Sequence, residues 1–410
     1  MPYDRIEAWI TSELQSLAES GRLKGRETII TGVIPPAAPK GPRYLLEGED
    51  GRPFLRMNSN GYLGLALHTA VIAADEAAVR RFGTGPGAVR FISGTWASHV
   101  ALERRLADFH KRQAAMIFSS AYAAMMGVLP PLIDEKTAVI SDELNHNCII
   151  NAIRLARPKE TYVYPHLNLE ALEESLKTAA AHCSRAIIVT DGVFSMRGDH
   201  APLREIATLS RRHDEAFEEN VLLLVDDSHG VGAFGATGRG TEEFAGSGHV
   251  DLLIGTLGKA FGVNGGYVVG SGTIMDFLRE ESPFYIYSNP ITPGEAAAAK
   301  AAVDIIDSPK GQELLDHLRA MTERFSRGLA RLGLESIAGA HPVVPLMVRD
   351  TKRTSELIRH LRQQGILATG LNYPVVPRGD EEIRFQISAD HTAADIDEAL
   401  AALDSFEHAE

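Results

Sequence analysis

Lys259 lies in a run of small residues, Gly255-Thr256-Leu257-Gly258-Lys259-Ala260-Phe261-Gly262, directly after the apolar stretch 252–255. A lysine seldom enters a protein interior without a partner, and desolvation lowers its basicity, which suits it to form a Schiff base with a carbonyl. Earlier in the chain the apolar run 221–225 ends in Asp226-Asp227-Ser228-His229-Gly230. Taken singly, each segment says little. Many loop lysines simply reach solvent, and Asp-x-x-His reads equally as a capped strand end. No HExxH pair, cysteine cluster or second carboxylate pair accompanies them, so no metal is expected. Together they match the needs of pyridoxal phosphate: a lysine for the aldehyde, a carboxylate to keep the pyridine nitrogen protonated, and donors for the phosphate. Lys259, Asp226 and Thr256 suit those three tasks. Ser119-Ser120-Ala121-Tyr122-Ala123-Ala124 follows another apolar run and opens a helical stretch whose free N–H groups suit a phosphate. Asp142-Glu143-Leu144-Asn145-His146 follows the next run, and His146 offers a ring to stack on the cofactor.

For these residues to meet, the strands before them must share one sheet. From Phe54 to about Gly270, the runs 115–119, 138–141, 162–164, 186–190, 221–225, 252–255 and 267–270 read as strands. Segments of helical length and period lie between most of them, such as 169–181 and 203–213. Repeated strand–helix units imply an α/β fold with a mostly parallel sheet covered on both faces, binding ligands beyond the carboxyl ends of its strands. Gly83-Thr84-Gly85-Pro86-Gly87-Ala88 matches the GxGxxA dinucleotide fingerprint in letters only. It follows the helical stretch 71–82 rather than a strand, and Pro86 interrupts the turn, so a structural glycine turn is expected there.

The first 25 residues read as an amphipathic helix, with Ile6, Trp9, Ile10, Leu14 and Leu17 at helical spacing and an exit through Gly21, Lys24 and Arg26. A Pro/Gly-rich connector follows. Thr292-Pro293-Gly294-Glu295 is a helix start, with Thr as N-cap, Pro at N1 and Glu at N3, opening an Ala-rich linking helix. Two further helical stretches and the strand candidates 343–348 and 383–387 complete the chain. The expected organisation is an N-terminal arm, 1–53, a large cofactor-binding domain, 54–290, and a small C-terminal α+β domain, 291–410.

Over 410 residues, 41 Lys and Arg against 54 Asp and Glu give a net charge of −13. No segment concentrates the basic residues, which argues against a nucleic-acid partner. With only Cys148 and Cys183, a reducing, cytoplasmic setting is expected. The N-terminus lacks the apolar core of a signal peptide, and no apolar stretch approaches the ~20 residues of a membrane span.

Several ordered motifs carry a family resemblance over nearly the whole chain: Asn60-Gly61-Tyr62-Leu63-Gly64-Leu65, Val89-Arg90-Phe91-Ile92-Ser93-Gly94-Thr95, Ser141-Asp142-Glu143-Leu144-Asn145-His146, Asp191-Gly192-Val193-Phe194-Ser195-Met196, Val225-Asp226-Asp227-Ser228-His229, the Lys259 segment and Tyr287-Ser288-Asn289. The chain resembles the α-oxoamine synthases of the fold-type I pyridoxal-phosphate enzymes. Within them it is most similar to the glycine acetyltransferase branch, also through the stretches 369–377 and 383–392. The resemblance implies Lys259 as the Schiff-base lysine, Asp226 as the pyridinium partner and His146 as the stacking histidine. It implies His229 and Ser195 near the cofactor's phenolic oxygen, and Ala121, Tyr122 and Thr256 at its phosphate. Ser288 and Asn289 match a phosphate contact given by a second subunit, hence a homodimer with shared sites. Asn60 and Arg384 match the groups that hold the amino-acid carboxylate. The implied reaction condenses an amino acid, glycine first, with an acyl-CoA, acetyl-CoA first, with His146 or His229 stabilising the developing oxyanion. Arg22, Lys24 and Arg26 could meet the CoA phosphates or simply end a solvated helix. The 8-amino-7-oxononanoate and serine palmitoyltransferase types, and an aminotransferase on the same fold, are the alternatives. Three positions depart from the family pattern: Met125, Cys148 and Arg197.

Overall fold

The computed structural model describes residues 3–407 except Gly21, Lys24, Ala338, Pro374 and Val375. The expected helix exit at Gly21 and Lys24, and part of the motif 369–377, therefore lie outside the described residues. Along the chain the strands are β1 Ile30–Ile34, β2 Arg43–Leu46, β3 Pro53–Arg56, β4 Ala114–Phe118, β5 Thr137–Asp142, β6 Glu160–Tyr164 and β7 Arg185–Asp191. They continue as β8 Val221–Asp226, β9 Leu252–Thr256, β10 Gly266–Gly270, β11 Val343–Met347, β12 Ile366–Leu367, β13 Thr369–Leu371 and β14 Glu382–Gln386. Two compact units contain them: Asn60–Arg319, and Met1–Ser59 together with Ala320–Glu410.

The larger unit is built on a seven-stranded sheet of order β4-β10-β9-β8-β7-β5-β6. Neighbours from β9 through β6 run parallel, and β10 runs antiparallel to both β4 and β9. The other six strands therefore end at one edge. In β7 the run Ala186-Ile187-Ile188-Val189 is wholly buried and does not alternate, because helices cover both faces of a parallel sheet. Each such Ile or Val removed from water contributes roughly 1.5–3 kcal/mol. Helix Leu203–His213 has the expected bounds, and its Leu203, Ile206, Ala207 and Leu209 form the buried stripe. Helix Thr69–Phe82 stops on Gly83 at φ 85°, so the glycine run there ends a helix and does not open a dinucleotide site.

The domain boundaries at 53 and 290 are not those of the compact units. Helix Pro293–Ile306 does carry the expected capping box, with Thr292 Oγ1 accepting from the Glu295 N–H at 3.0 Å and Glu295 accepting from the Thr292 N–H at 2.7 Å. It is no linker, however, but packs inside the larger unit on helices Thr69–Phe82 and Ala97–Phe109. Its buried Ala296, Ala299 and Ala302 permit that approach, and a Cβ on Gly294 would come within 2.3 Å of Asp75 Oδ1. At the other end, β1, β2 and β3 join β12 in a four-stranded sheet of the smaller unit, so 1–53 is not a separate arm. The Arg43 guanidinium reinforces this union, donating to Asp395 at 2.7 Å and Glu398 at 2.9 Å. The remaining strands of this unit, β11-β14-β13, form an antiparallel sheet. Helix Asp4–Glu19 has the expected apolar stripe but buries none of it: Ile6, Trp9, Ile10 and Leu14 are all exposed. No helix among the described residues is long and apolar enough to cross a membrane.

Candidate active site

Four parallel strands end in polar residues at the same sheet edge: β5 in Asp142, β7 in Asp191, β8 in Asp226 and β9 in Thr256. Just beyond them is a small cavity of about 80 Å³. Ala121, Tyr122, His146, Ser195, Asp226, His229, Thr256 and Lys259 all line it. Cys148, Asp191, Val193 and Ser228 complete the lining.

Each wall has a local cause. Asn145, buried after β5, donates its side-chain amide to Ser141 Oγ at 2.9 Å and to the Val189 carbonyl at 2.8 Å, and accepts from the Asp191 N–H at 2.8 Å. These bonds rivet the loop to β7 and set the next residue, His146, at the cavity. Asp191 and Asp226 are register partners on adjacent strands, so two carboxyl groups stand side by side. Burial, then the charge of Asp226, pushes the Asp191 carboxyl well above the usual carboxylate range. Asp191 Oδ2 also accepts the His146 N–H at 2.9 Å. Asp226 Oδ1 accepts from the Ser228 N–H at 3.1 Å, and the Cys148 thiol lies 3.5 Å from Oδ2. Burial, then Asp226, raises the Cys148 thiol, which is therefore protonated.

The consecutive pair Asp226-Asp227 splits into two tasks. Asp227 turns away from the cavity and accepts the Thr241 N–H at 2.7 Å and hydroxyl at 2.6 Å, folding the glycine-rich loop 228–241 around itself. Fully buried, it is pushed up to about 7 by desolvation, against the two Thr241 bonds. That loop carries His229, whose Nδ1 lies 2.7 Å from the Tyr62 hydroxyl, itself 3.3 Å from Asn60 Oδ1.

Pyridoxal phosphate fits this cavity on observations of the chain itself. Ser120 caps helix Ala121–Val128 by accepting the Ala123 N–H, while the Ala121 and Tyr122 N–H groups have no partner among the described residues. A Cβ on Gly266 would lie 2.2 Å from the Ala121 nitrogen, so glycine there leaves the helix start uncovered. Ser228 Oγ is a buried hydroxyl without a partner at the cavity wall. A helix start, Thr256 and an unsatisfied hydroxyl suit a phosphate and polar ring substituents; Asp226 suits a pyridinium nitrogen. Among the described residues no cluster of three or more acidic, His or Cys side chains has metal-binding geometry.

Ser288 and Asn289 are not among the lining residues; they follow the short helix Pro283–Ile286, and Asn289 is exposed. Arg384 is on β14, in the other compact unit. Of the departures from the family pattern, Met125 is buried on the core side of helix Ala121–Val128, Cys148 lines the cavity, and Arg197 pairs with Asp199 at 2.8 Å. The sequence reading gave no role to Asp191 or Tyr62. Asp191 ends an apolar run just as Asp226 does, a signal that was available; the Tyr62–His229 contact spans 167 positions and left none. It also overlooked His166, which lies between Asp142 at 2.9 Å and Asp199 at 3.3 Å and stacks edge-on against Phe194.

Comparison with known proteins gives consistent results. The aminotransferase class I and II family matches residues 52–403. The chain is 40% identical over 352 residues to the 8-amino-7-oxononanoate synthase of Thermosipho melanesiensis, covering 86% of this chain and 88% of that one. It is 37% identical over 400 residues to the mitochondrial 2-amino-3-ketobutyrate coenzyme A ligase of Homo sapiens, covering 97% and 91%. Among solved structures, serine palmitoyltransferase of Sphingomonas wittichii superposes with a TM-score of 0.88 at 26% identity, over 99% of this chain and 98% of that one. Serine palmitoyltransferase of S. paucimobilis with bound PLP-myriocin aldimine gives 0.87 at 25% identity, over 99% and 98%.

Proposed function

This chain belongs to the aminotransferase class I and II family and, within it, to the pyridoxal-phosphate-dependent α-oxoamine synthases, and we propose that it joins glycine to the acetyl group of acetyl-CoA, releasing free CoA and an α-amino ketone. The observation that carries this reading is the convergence of Lys259, Asp226 and His146 at one cavity, each at or just past the end of a different parallel strand. When bound, pyridoxal phosphate supplies an aldehyde carbon for amines and a ring that draws off negative charge from the adjacent carbon. Asp226 holds the ring nitrogen protonated, which that withdrawal requires. Lys259 Nζ would anchor the cofactor and would accept the α-proton of the bound amino acid. The helix start at Ala121 and Tyr122, with Thr256, grips the phosphate. His229, held by Tyr62, and Ser195 orient the phenolic oxygen. Arg384 and Asn60 bind the substrate carboxylate; an Arg fork suits that bidentate task.

Ser288 and Asn289 complete the phosphate site of a second copy, so the working unit is a homodimer with shared sites. Exposed Phe91, Ile92 and Tyr287, at 65%, 64% and 79%, supply apolar surface for that contact.

A second reading is a longer acyl donor. It is favoured by the 40% identity to an 8-amino-7-oxononanoate synthase, whose named product is itself an α-amino ketone. One assay separates the readings. Purified enzyme is given glycine, alanine or serine against acyl-CoAs of several lengths, and free thiol is followed. The proposal expects the highest kcat/KM for glycine with acetyl-CoA. A maximum with alanine or serine and a long acyl-CoA selects the second reading, and turnover without any CoA release sinks both in favour of an aminotransferase.

A further inference from the structure

His146 is the N-cap of helix Asn147–Ala156, and its ring nitrogen Nδ1 accepts the main-chain N–H of Cys148 at 3.2 Å. A main-chain N–H can only donate, so Nδ1 must carry the lone pair. The proton of the neutral ring is then on Nε2. The Cys148 thiol, 3.0 Å from Nδ1 and 3.5 Å from Asp226 Oδ2, has a single proton to give to one of them, so the main-chain N–H is the contact that fixes the ring. Protonating Nδ1 would set one N–H against another at the positive end of a ten-residue helix. The backbone of the same residue is fixed independently, its N–H donating to Asp191 Oδ2 at 2.9 Å. Nε2 has no hydrogen-bond partner among the described residues, and the ring lines the cavity.

We propose that the helix start locks His146 as the neutral Nε2–H tautomer, so that the ring presents a hydrogen-bond donor, and never a base, to the reacting substrate. The proposal rests on the cofactor-site reading for its place in the reaction, but not for the tautomer itself. The titratable and charged groups that face the ring pull in opposite senses. Desolvation lowers the basicity of His146 most; Asp226 opposes that, Lys259 adds to it, and the net direction is downward. Asp191 Oδ2 takes the His146 main-chain N–H, and that carboxyl is itself raised above the usual range by burial and then by Asp226. Within the Proposed function this divides the labour. His146 can steady negative charge forming on the thioester oxygen, while proton removal is left to Lys259.

The test uses full-length protein labelled with 15N-histidine, with and without pyridoxal phosphate, across the pH range where a free imidazole titrates, about 6.5. His146→Asn, which keeps a capping side chain, assigns the resonance by its loss. The expected spectrum has a pyridine-type Nδ1 and a proton-bearing Nε2 throughout. A doubly protonated ring at neutral pH, or a proton on Nδ1, overturns the proposal. Cys148→Pro removes the donating N–H at a first-turn position, and Cys148→Ala retains it. The Ala variant should keep the tautomer and the Pro variant should show both; an unchanged spectrum in the Pro variant also overturns it. Borohydride reduction followed by peptide mass analysis reads the cofactor separately. A Lys259 peptide without added mass refutes the cofactor-site reading while leaving the tautomer result intact.

Discussion

In the proposed reading Lys259, just past β9, anchors the cofactor and Asp226, at the end of β8, keeps it electron-withdrawing, so neither has a task without the other. Lys259→Ala should therefore abolish covalent retention of the cofactor and cut CoA release by at least about 10²–10⁴-fold, as expected for loss of a positioned base. Mass analysis after borohydride reduction and a thiol assay read the two effects. His166 has a different, pH-linked consequence. Its hydrogen bonds and ion pairs with Asp142 and Asp199 outweigh desolvation and raise it to about 9. Because the folded value lies above the free value of about 6.5, the stabilisation is complete below that pH and is lost as pH rises through about 9. The wild-type melting temperature should fall by a few degrees across this window relative to its value near pH 6. In His166→Gln the same window should be nearly flat; parallel curves would remove His166 from the account.

At the scale of elements, the turn Arg90–Gly94 and helix Ala97–Phe109 are joined by one buried carboxylate. Glu103 receives both arms of Arg90 at 3.1 Å, a second cation, Arg279, at 3.2 Å, and the Ile117 N–H at 3.2 Å from β4. Its removal strands the buried Arg90 guanidinium and takes one partner from the half-buried Arg279, and breaking a buried pair costs about 3–5 kcal/mol. Glu103→Gln keeps the volume and part of the hydrogen bonding, so a loss of about 2–4 kcal/mol is expected in urea unfolding. The motif that holds Arg90 was legible in the sequence, but its partner was not, because a glutamate in a helix reads first as a solvated charge. The strands of the large unit were legible for the opposite reason. Unbroken apolar runs ending in a polar residue have few other meanings, and their bounds differ from those seen by only one or two residues. The alanine-rich helix after Thr292 was misread because small side chains suit a linker and a close-packed core equally, and only its neighbours decide.

On the scale of the whole molecule, the single chain brings Lys259, Asp226 and His146 to one cavity but leaves Ser288 and Asn289 off its wall. If they serve a second copy, inactive variants of different kinds should rescue each other. Mixing Lys259→Ala with the double variant Ser288→Ala/Asn289→Ala, then exchanging subunits, should restore up to about a quarter of wild-type CoA release, since half the dimers are hybrids and each has one intact site. Sedimentation should give twice the 44.4 kDa chain mass. Activity that never exceeds the sum of the parents, or a monomeric peak, would reject shared sites. The sequence could not have decided this, because Tyr287-Ser288-Asn289 looks the same whether it closes its own site or a neighbour's.

The cavity lies past the ends of β5, β7, β8 and β9, with its phosphate helix after β4. Its residues are far apart along the chain and meet only through the sheet. A refolding intermediate with only some of these strands in register therefore offers the cofactor no home. Pyridoxal phosphate should bind last, slow unfolding more than it speeds refolding, and report by its colour the moment at which the sheet is complete.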